Sequence, residues 1–252
     1  MTNKLKYFIG NWKMFGNLGS YKIVNQILRF CNKSKKQAKK NKIILCVPNT
    51  IIHSFAKKLK SKFISIGAQN CHYEFNGPFT GSLSASMIKD VGAKYVILGH
   101  SENRMEGETN KLIKKKIKSA LSENMNIIFC IGETLKEKKE GKTFSVISNQ
   151  IFSSVEKNFK LNKIIFAYEP VWSIGTGKLP NIIELKKILK FIKDKIKKKF
   201  KLKNSPTVLY GGSVNEKNIK MFSPITEIDG FLIGSASQSS KKFIDIIKNY
   251  YK

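Results

Sequence analysis

Chemically versatile side chains follow several short apolar runs of this sequence, at the point where each run ends. Glu169 ends the run IIFAYE, and His100 and Glu102 follow the run KYVILG. Asn11 and Lys13 stand at the end of the run KYFIGN. A carboxylate, a neutral imidazole and an ammonium on one rim can remove a proton next to a carbonyl and stabilise the enediolate oxygen that develops. Singly, each has a simpler role, as a helix cap, a structural histidine or a solvated charge.

Two glycine-rich turns can hold a phosphate. YGGSV contains Ser213, and LIGSAS contains Gly234 and Ser235. Glycine lets the backbone approach an anion closely, and the Ser213 hydroxyl adds a donor. Either turn alone could be an ordinary connection, but both together, beside a third glycine-rich stretch at 175–177, favour a phosphate site. A phosphate held there would direct a small substrate towards the groups described above.

The stretch AYEPVWSIGTGKLPN at 167–181 attaches a glycine-rich loop to Glu169. An enediol with a neighbouring phosphate tends to eliminate it, so the site has to exclude water while the intermediate exists. We therefore predict a lid, whose first hinge is Pro170, Val171 and Trp172, whose tip is 173–177, and whose second hinge is Lys178, Leu179 and Pro180. The amide of Gly175 would close onto the phosphate, and Ile174 and Leu232 would form an apolar clamp over the base.

Eight short, mostly apolar runs recur along the chain, as parallel strands buried on both faces require. They are KYFIGN (6–11), KIILCV (42–47), FISIGAQ (63–69), KYVILG (94–99), NIIFCIG (126–132), KIIFAYE (163–169), PTVLYGG (206–212) and IDGFLIG (228–234). Without a linker or a change of composition, they predict a single α/β domain over 1–252, a (β/α)8 barrel with an outer ring of helices. A doubly wound open sheet is the alternative.

Helical patterns separate these runs. They are YKIVNQILRFCNK, IIHSFAKKLK, TNKLIKKKIKSALSE, FSVISNQIFSSVEKN, IIELKKILKFIKDKIKKKF, NEKNIKMF and SSKKFIDIIKNYY. Asn181 and Glu184 form an N-cap and N3 pair that would begin the helix at 182. In barrels of this kind the chemistry lies at the carboxyl ends of the strands, where all the groups named above fall.

Composition excludes several classes of function. The formal net charge of +30 comes from lysine, since Arg29 and Arg104 are the only arginines, and lysine runs on outer helix faces do not predict a specific nucleic-acid site. The charge would attract anionic small molecules. Four cysteines without CxxC spacing indicate a reduced, cytoplasmic protein without a metal site. The sequence shows neither a secretory signal nor a membrane span.

Several longer motifs occur along essentially the whole length. They are GNWKM (10–14), AQN (68–70), FTG (79–81), YVILGHSE (95–102), CIGET (130–134), YEPVWSIGTGK (168–178), YGGSV (210–214) and DGFLIG (229–234). In these motifs the chain resembles the triosephosphate isomerase family. The resemblance implies a TIM barrel that interconverts dihydroxyacetone phosphate and glyceraldehyde 3-phosphate without metal or cofactor.

The resemblance also implies roles for individual residues. Glu169 would be the base, and His100 the electrophile, kept neutral by the N-terminus of the helical turn that follows it. Lys13, positioned by Asn11, would hold the substrate, with Glu102 beside it as counter-ion or proton relay. The phosphate would meet the amides of Gly175, Ser213, Gly234 and Ser235. A homodimer would form through the loop of Phe79, Thr80 and Gly81.

The sequence departs from the family in three places. Ser82 and Asn103 replace a glutamate and an arginine that usually pair beneath the interface loop, which predicts a weaker dimer, partly offset by packing of Phe15. Pro180 removes an N–H that normally meets the hydroxyl of Tyr210 when the lid closes. Ser235 replaces a glycine, so its side chain has to point away from the phosphate.

Two alternatives differ in class. An aldolase-type barrel enzyme would need a strand-end lysine as Schiff base, and Lys13 beside His100 and Glu169 suits proton transfer better. A non-enzymatic barrel that binds polyanions through its basic surface is the second alternative, and it would have to bind at physiological salt.

Overall fold

A computed structural model describes residues 5–252, and its eight strands form a closed parallel barrel in chain order. The strands are β1 (Lys6–Asn11), β2 (Asn41–Cys46), β3 (Ile64–Ala68), β4 (Tyr95–Leu98), β5 (Asn126–Ile131), β6 (Ile164–Tyr168), β7 (Val208–Tyr210) and β8 (Gly230–Ile233). Each lies within, or within one residue of, a predicted run. The barrel prediction is confirmed, and the open sheet is wrong because β1 pairs with β8, with Tyr7 opposite Gly230.

Ten α-helices surround the barrel in the described part of the chain. They are α1 (Tyr21–Lys33), α2 (Lys35–Ala38), α3 (Asn49–Lys58), α4 (Ala85–Asp90), α5 (Ser101–Met105), α6 (Asn110–Ser122), α7 (Leu135–Lys139), α8 (Thr143–Ser154), α9 (Ile182–Lys199) and α10 (Ser240–Tyr250). Patterns of apolar residues predict the long helices, whereas the four- to six-residue helices α2, α4, α5 and α7 are too short to show such a pattern.

The helix expected over 215–222 is wrong, because only a 3₁₀ turn at Ile219–Phe222 forms there. The side-chain oxygen of Asn215 accepts hydrogen bonds from the backbone N–H groups of Lys217 and Asn218, at 2.9 and 3.0 Å. The side chain of Asn218 donates to the carbonyl of Ser213 at 2.7 Å. These bonds offer the backbone an alternative to a helix and tie the segment to the turn after β7.

Alternate residues of each strand point into the barrel and out towards the helices. The inner cluster includes Ile9, Ile44, Ile97, Ile128 and Leu209, and it fills the barrel so that the interior is a packed core. The outer residues join the inner faces of the helices in a second, larger cluster. Because the interior is filled, the carboxyl ends of the strands are left to build a site.

Helix α9 begins as predicted, and its start fixes the end of the segment that follows β6. The side chain of Asn181 accepts hydrogen bonds from the N–H groups of Ile183 and Glu184, at 2.8 and 3.4 Å. The carboxylate of Glu184 bonds Lys138 at 2.9 Å.

Within residues 5–252, no helix is long and apolar enough to cross a membrane.

Candidate active site

A cavity of ≈ 570 Å³ opens at the carboxyl ends of the strands. Eight of the predicted catalytic and substrate-binding residues line it, from the ends of five different strands: Asn11, Lys13, His100, Glu169, Gly175, Ser213, Gly234 and Ser235. The clamp residues Ile174 and Leu232 line it as well. Glu102 lies outside the lining and contacts Lys13.

Glu169 extends from the end of β6 into this cavity and is 4% exposed. Its N–H donates to the carbonyl of Ile131 at 2.8 Å, which holds the residue against the end of β5. A Cβ at Gly132 would lie 1.9 Å from the Glu169 carbonyl oxygen, so only glycine permits this approach. The Oε2 atom has no hydrogen-bond partner among the described residues. Such an oxygen is free to accept a proton from a bound molecule.

His100 stands at the N-cap of α5 and is buried. Its Nδ1 accepts a hydrogen bond from the N–H of Glu102 at 3.2 Å. An accepting ring nitrogen carries no proton, so this bond requires the neutral imidazole with its hydrogen on Nε2. That Nε2 lies 3.6 Å from Oε1 of Glu169. A hydrogen-bond donor and the Glu169 carboxylate therefore lie side by side in the cavity.

Lys13 adopts a left-handed backbone conformation, with a φ of 56°, that is uncommon for a lysine. Its N–H donates to the side-chain oxygen of Asn11 at 3.1 Å. Its Nζ bonds Oε1 of Glu102 at 2.6 Å, which orients the ammonium at the cavity wall. Asn11 is thus a positioning group for the turn that presents Lys13.

Two glutamine side chains, neither of which is a predicted site residue, hold the turn at Lys13. The Gln69 amide donates to the carbonyl of Lys13 at 3.0 Å and to that of Cys46 at 3.1 Å. The Gln238 amide donates to the carbonyl of Trp12 at 2.8 Å. Only AQN in the family resemblance points to Gln69. For Gln238, no signal in the sequence indicates this contact.

The opposite end of the cavity is built from glycine-rich turns and carries positive charge. Gly175 has a φ of 69°, and Ser235, at the start of a 3₁₀ turn, is exposed. Lys217 and Lys242 line the same cavity. Sequence reasoning missed both because lysine is common throughout the chain. Their charges favour an anion at this end.

The first hinge of the predicted lid is fixed to Glu133, a wholly buried carboxylate at the end of β5. Glu133 accepts from the indole N–H of Trp172 at 2.9 Å and from the hydroxyl of Tyr168 at 3.2 Å. The Lys138 ammonium lies 4.0 Å from the centre of the Trp172 ring. Burial raises the pKa of Glu133, against the opposing effect of these hydrogen bonds.

The boundary of the lid tip differs from the prediction at Ser173. The side chain of Ser173 is fully buried and ends the 3₁₀ turn Val171–Ser173, so it belongs to the hinge. The exposed tip is the stretch 175–178. At the second hinge Pro180 is buried, and the hydroxyl of Tyr210 lies 3.4 Å from Oγ of Ser173.

Four of the predicted interface residues, at 79–82, lie on one loop, and the fifth, Phe15, follows Lys13 closely in sequence. Thr80, Gly81 and Ser82 are exposed, and the half-buried ring of Phe79 packs on His72 with ring centres 4.2 Å apart. Phe15 is 42% exposed and packs edge-to-face on Trp12.

Behind the interface loop the structure contains a buried ion pair. Glu108 pairs with Lys116 and accepts from the N–H of Gly99 at 3.2 Å. The side chain of Lys116 also donates to Asn70 at 3.0 Å. The carboxylate of Glu108 is therefore compensated without Asn103 being an arginine. Among residues 5–252, no group of three or more His, Cys, Asp or Glu side chains is arranged to hold a metal ion.

Comparison with known proteins supplies independent findings. A family model described as triosephosphate isomerase matches residues 6–250. The triosephosphate isomerase of Alkaliphilus oremlandii is 38% identical over 245 residues, covering 94% of this chain and 96% of that protein. That of Zygosaccharomyces bailii is 39% identical over 247 residues, covering 96% and 98%. The crystal structure of triosephosphate isomerase from Bartonella henselae superimposes with a TM-score of 0.88 at 32% identity, covering 98% and 99% of the two chains.

Proposed function

The chain belongs to the triosephosphate isomerase family, and on that premise we propose how its own residues interconvert dihydroxyacetone phosphate and D-glyceraldehyde 3-phosphate. The reaction moves a proton between neighbouring carbons and belongs to glycolysis and gluconeogenesis. The family identity supports this isomerase activity over the alternative of a non-enzymatic polyanion-binding barrel. It needs no oxidant or reductant, because one proton is moved between the two neighbouring carbons and one between their two oxygens.

Glu169 acts as the base. One oxygen of its buried carboxylate takes the proton from the carbon next to the carbonyl, and the electron pair left behind forms the enediolate. The same carboxyl then returns a proton to the neighbouring carbon. The support for this role is the unpartnered Oε2 of Glu169, a costly arrangement in a buried group unless a ligand engages it.

His100 and Lys13 stabilise the charge that develops on the substrate oxygens. Nε2 of His100 donates a hydrogen bond to the forming oxyanion, can pass it a proton and can take one back from the neighbouring substrate hydroxyl, since Nδ1 is occupied by the N–H of Glu102. The ammonium of Lys13 adds a fixed positive charge, and Asn11 positions it. Glu102 acts as the counter-ion of Lys13, at 2.6 Å, and holds the ammonium in place.

The phosphate occupies the opposite end of the cavity, where the amides of Gly175, Ser213, Gly234 and Ser235 bind it. The lid closes over it, with Ile174 and Leu232 covering the base and excluding water. The small Ser235 side chain is compatible with this site because it is exposed. Lys217 and Lys242 raise the local concentration of the anionic substrate.

The pairing of His100 with Glu169, 3.6 Å apart on one cavity wall, is the single observation that carries this mechanism. The experiment is steady-state isomerisation of glyceraldehyde 3-phosphate by the purified chain, with and without sodium borohydride. Proton transfer predicts turnover without a borohydride-trapped adduct. A trapped adduct on Lys13 would instead indicate Schiff-base chemistry of the aldolase type, and a folded chain without turnover would contradict the proposal.

Family members are usually homodimers, and we propose that this chain forms one that is weaker than usual. Large exposed apolar side chains at or close in sequence to the predicted interface residues support the dimer: Met14, Phe15 and Phe75. Ser82 and Asn103 cannot form an ion pair, which supports the lower affinity. Sedimentation over a dilution series tests this, and a dimer that persists at low nanomolar concentration would contradict it.

A compensating pair of substitutions provides the control for the dimer. Ser82→Glu combined with Asn103→Arg should strengthen association about tenfold, whereas either substitution alone should not, because a lone buried charge is unfavourable.

We also propose a cytoplasmic location, as expected for a glycolytic enzyme. The four free and buried cysteines agree with a reducing compartment.

A further inference from the structure

Ser173 connects the two ends of the exposed lid tip. It is the last residue of the turn Val171–Ser173, and its side chain is fully buried. Its hydroxyl donates a hydrogen bond of 2.6 Å to the carbonyl of Lys178, on the far side of the tip. The tip residues in between are thereby closed into a small loop with a fixed base.

The same hydroxyl contacts the segment that follows β7. Oγ of Ser173 lies 3.4 Å from the hydroxyl of Tyr210 and 3.5 Å from the backbone nitrogen of Ser213. A serine hydroxyl has one hydrogen, and here Lys178 receives it, so Ser173 is the acceptor in the other two contacts. Burial raises the pKa of Tyr210 to about 12, so the phenol is protonated and able to donate at neutral pH.

Ser213 adds a second connection between the same segments. Its hydroxyl donates to the carbonyl of Ser173 and accepts from the N–H of Gly177 at 3.2 Å. A Cβ at Gly212 would lie 2.0 Å from the Tyr210 hydroxyl and 2.8 Å from Oγ of Ser173. The glycine therefore makes the approach of the two hydroxyls possible.

Pro180 gives this contact its importance. Proline has no N–H, so position 180 cannot donate a backbone hydrogen bond to Tyr210 when the lid is closed. The fully buried hydroxyl of Tyr210 is bonded through Ser173. A buried hydroxyl without a partner would cost free energy each time the lid closed.

We propose that Ser173 is a positioning residue that latches the lid in its closed state, joining both of its ends to Tyr210. This rests on the proposed isomerase function, because the lid matters only where an intermediate has to be enclosed. Alanine at position 173 can neither donate to Lys178 nor accept from Tyr210. The closed lid is then less populated, and the amide of Gly175 is held less often over the phosphate end of the cavity.

An unlatched lid has a specific chemical consequence. In the enediolate, the electron pair on oxygen can expel the neighbouring phosphate. The carbon–oxygen bond breaks, inorganic phosphate leaves with the bonding pair, and the remaining enol rearranges to an α-ketoaldehyde. No oxidant or other reactant is needed. The amount of phosphate released per isomerisation therefore measures how well the lid encloses the intermediate.

The experiment compares Ser173→Ala with a matched control, Ser154→Ala. Ser154, on α8, is also fully buried, and its hydroxyl donates to the carbonyl of Asn110 at 3.4 Å. Both substitutions remove a buried hydroxyl, but only one is in the lid. For Ser173→Ala we expect kcat/KM to fall about tenfold, the magnitude of one to two lost hydrogen bonds. Phosphate release per turnover should rise by a similar factor, and Ser154→Ala should change neither.

Two further readouts separate latching from a general structural role. Adding Tyr210→Phe to Ser173→Ala should cause little further loss, because the contact is already broken. Trypsin cleavage after the exposed Lys178, quantified by mass spectrometry, should accelerate in Ser173→Ala and not in Ser154→Ala. This cleavage does not depend on catalysis.

The outcomes distinguish the two proposals. A wild-type chain that isomerises, with Ser173→Ala equal to Ser154→Ala in phosphate release and in cleavage after Lys178, would overturn the latch. A folded wild-type chain without isomerase activity would overturn the proposed function. In that case cleavage after Lys178 still tests the latch: an unchanged rate in Ser173→Ala would overturn it, and a faster rate would support it.

Discussion

Single atoms decide what the residues of this site can do. Nδ1 of His100 accepts from a backbone N–H, and this contact fixes where the imidazole hydrogen lies. Oε2 of Glu169 is left without a partner in the described chain, and this fixes where a proton can go. Lys13 takes an uncommon backbone conformation to bring its ammonium to the same wall. Side chains that hold such a conformation contribute to activity without touching the substrate.

Substituting Gln238 tests whether a side chain that only holds the turn at Lys13 contributes to activity. We expect Gln238→Ala to lower kcat/KM about five- to tenfold, mainly through a higher KM, because the carbonyl of Trp12 loses its hydrogen bond and the turn at Lys13 loosens. Steady-state kinetics checks this, with Gln37→Ala on α2 as the control. Unchanged kinetics in Gln238→Ala would show that the turn holds its conformation without this contact.

The residue types at the strand ends predict Glu169, His100 and Lys13, because a carboxylate, an imidazole and an ammonium have recognisable chemistry. The roles of Gln69 and Gln238 could not be predicted, since both bind backbone carbonyls, and sequence does not show which carbonyls lack partners. Ser173 was assigned to the lid tip for a similar reason. Its burial depends on Tyr210 and Lys178, which only the folded chain brings together.

At the scale of elements, the lid is held at three places. Its first hinge is bonded to Glu133 through Trp172, its base is closed by Ser173 and Lys178, and its second hinge ends at the cap of α9 on Asn181. The eight strands and long helices followed from apolar patterns. The helix expected over 215–222 failed because asparagine side chains compete locally for backbone N–H groups, which apolar periodicity does not register.

Position 180 controls whether the second hinge can donate a backbone hydrogen bond to Tyr210. Pro180→Ala supplies an N–H that, by the family resemblance, should reach the hydroxyl of Tyr210, with a net gain near 1 kcal/mol in the closed state. We therefore expect it to alter turnover and the lid-opening rate, and to recover part of the activity lost in Ser173→Ala. Kinetics of the two single variants and the double variant measure this. If Ser173→Ala lowers activity by the same factor with proline and with alanine at position 180, the two positions act independently.

The net charge of +30 affects both the stability of the folded barrel and its attraction for anionic substrates. The charge follows directly from the amino-acid composition. In the structure most of the lysines lie on outer helix faces, such as that of α9. Like charges on one surface repel one another and oppose the compact state, while the same field attracts anionic substrates. Both effects weaken as salt shortens the range of the interaction.

Salt should therefore change stability and catalysis in opposite directions. Between about 0.02 and 0.3 M sodium chloride the screening length falls from roughly 20 Å to about 6 Å. We expect the melting temperature to rise and kcat/KM for glyceraldehyde 3-phosphate to fall several-fold. Calorimetry and kinetics in sodium chloride and in potassium glutamate separate screening from specific ion binding. A melting temperature independent of salt would show that self-repulsion contributes little.

Replacing the carboxylate of Glu169 tests whether this residue is the general base. The measurement is kcat/KM for glyceraldehyde 3-phosphate in wild type, Glu169→Gln and Glu216→Gln, where Glu216 is a second glutamate lining the same cavity. Loss of a general base predicts a fall of about a thousandfold in Glu169→Gln, with the fold intact by circular dichroism. Glu216→Gln should stay within a few-fold of wild type. Turnover of Glu169→Gln within tenfold of wild type would show that Glu169 is not the base.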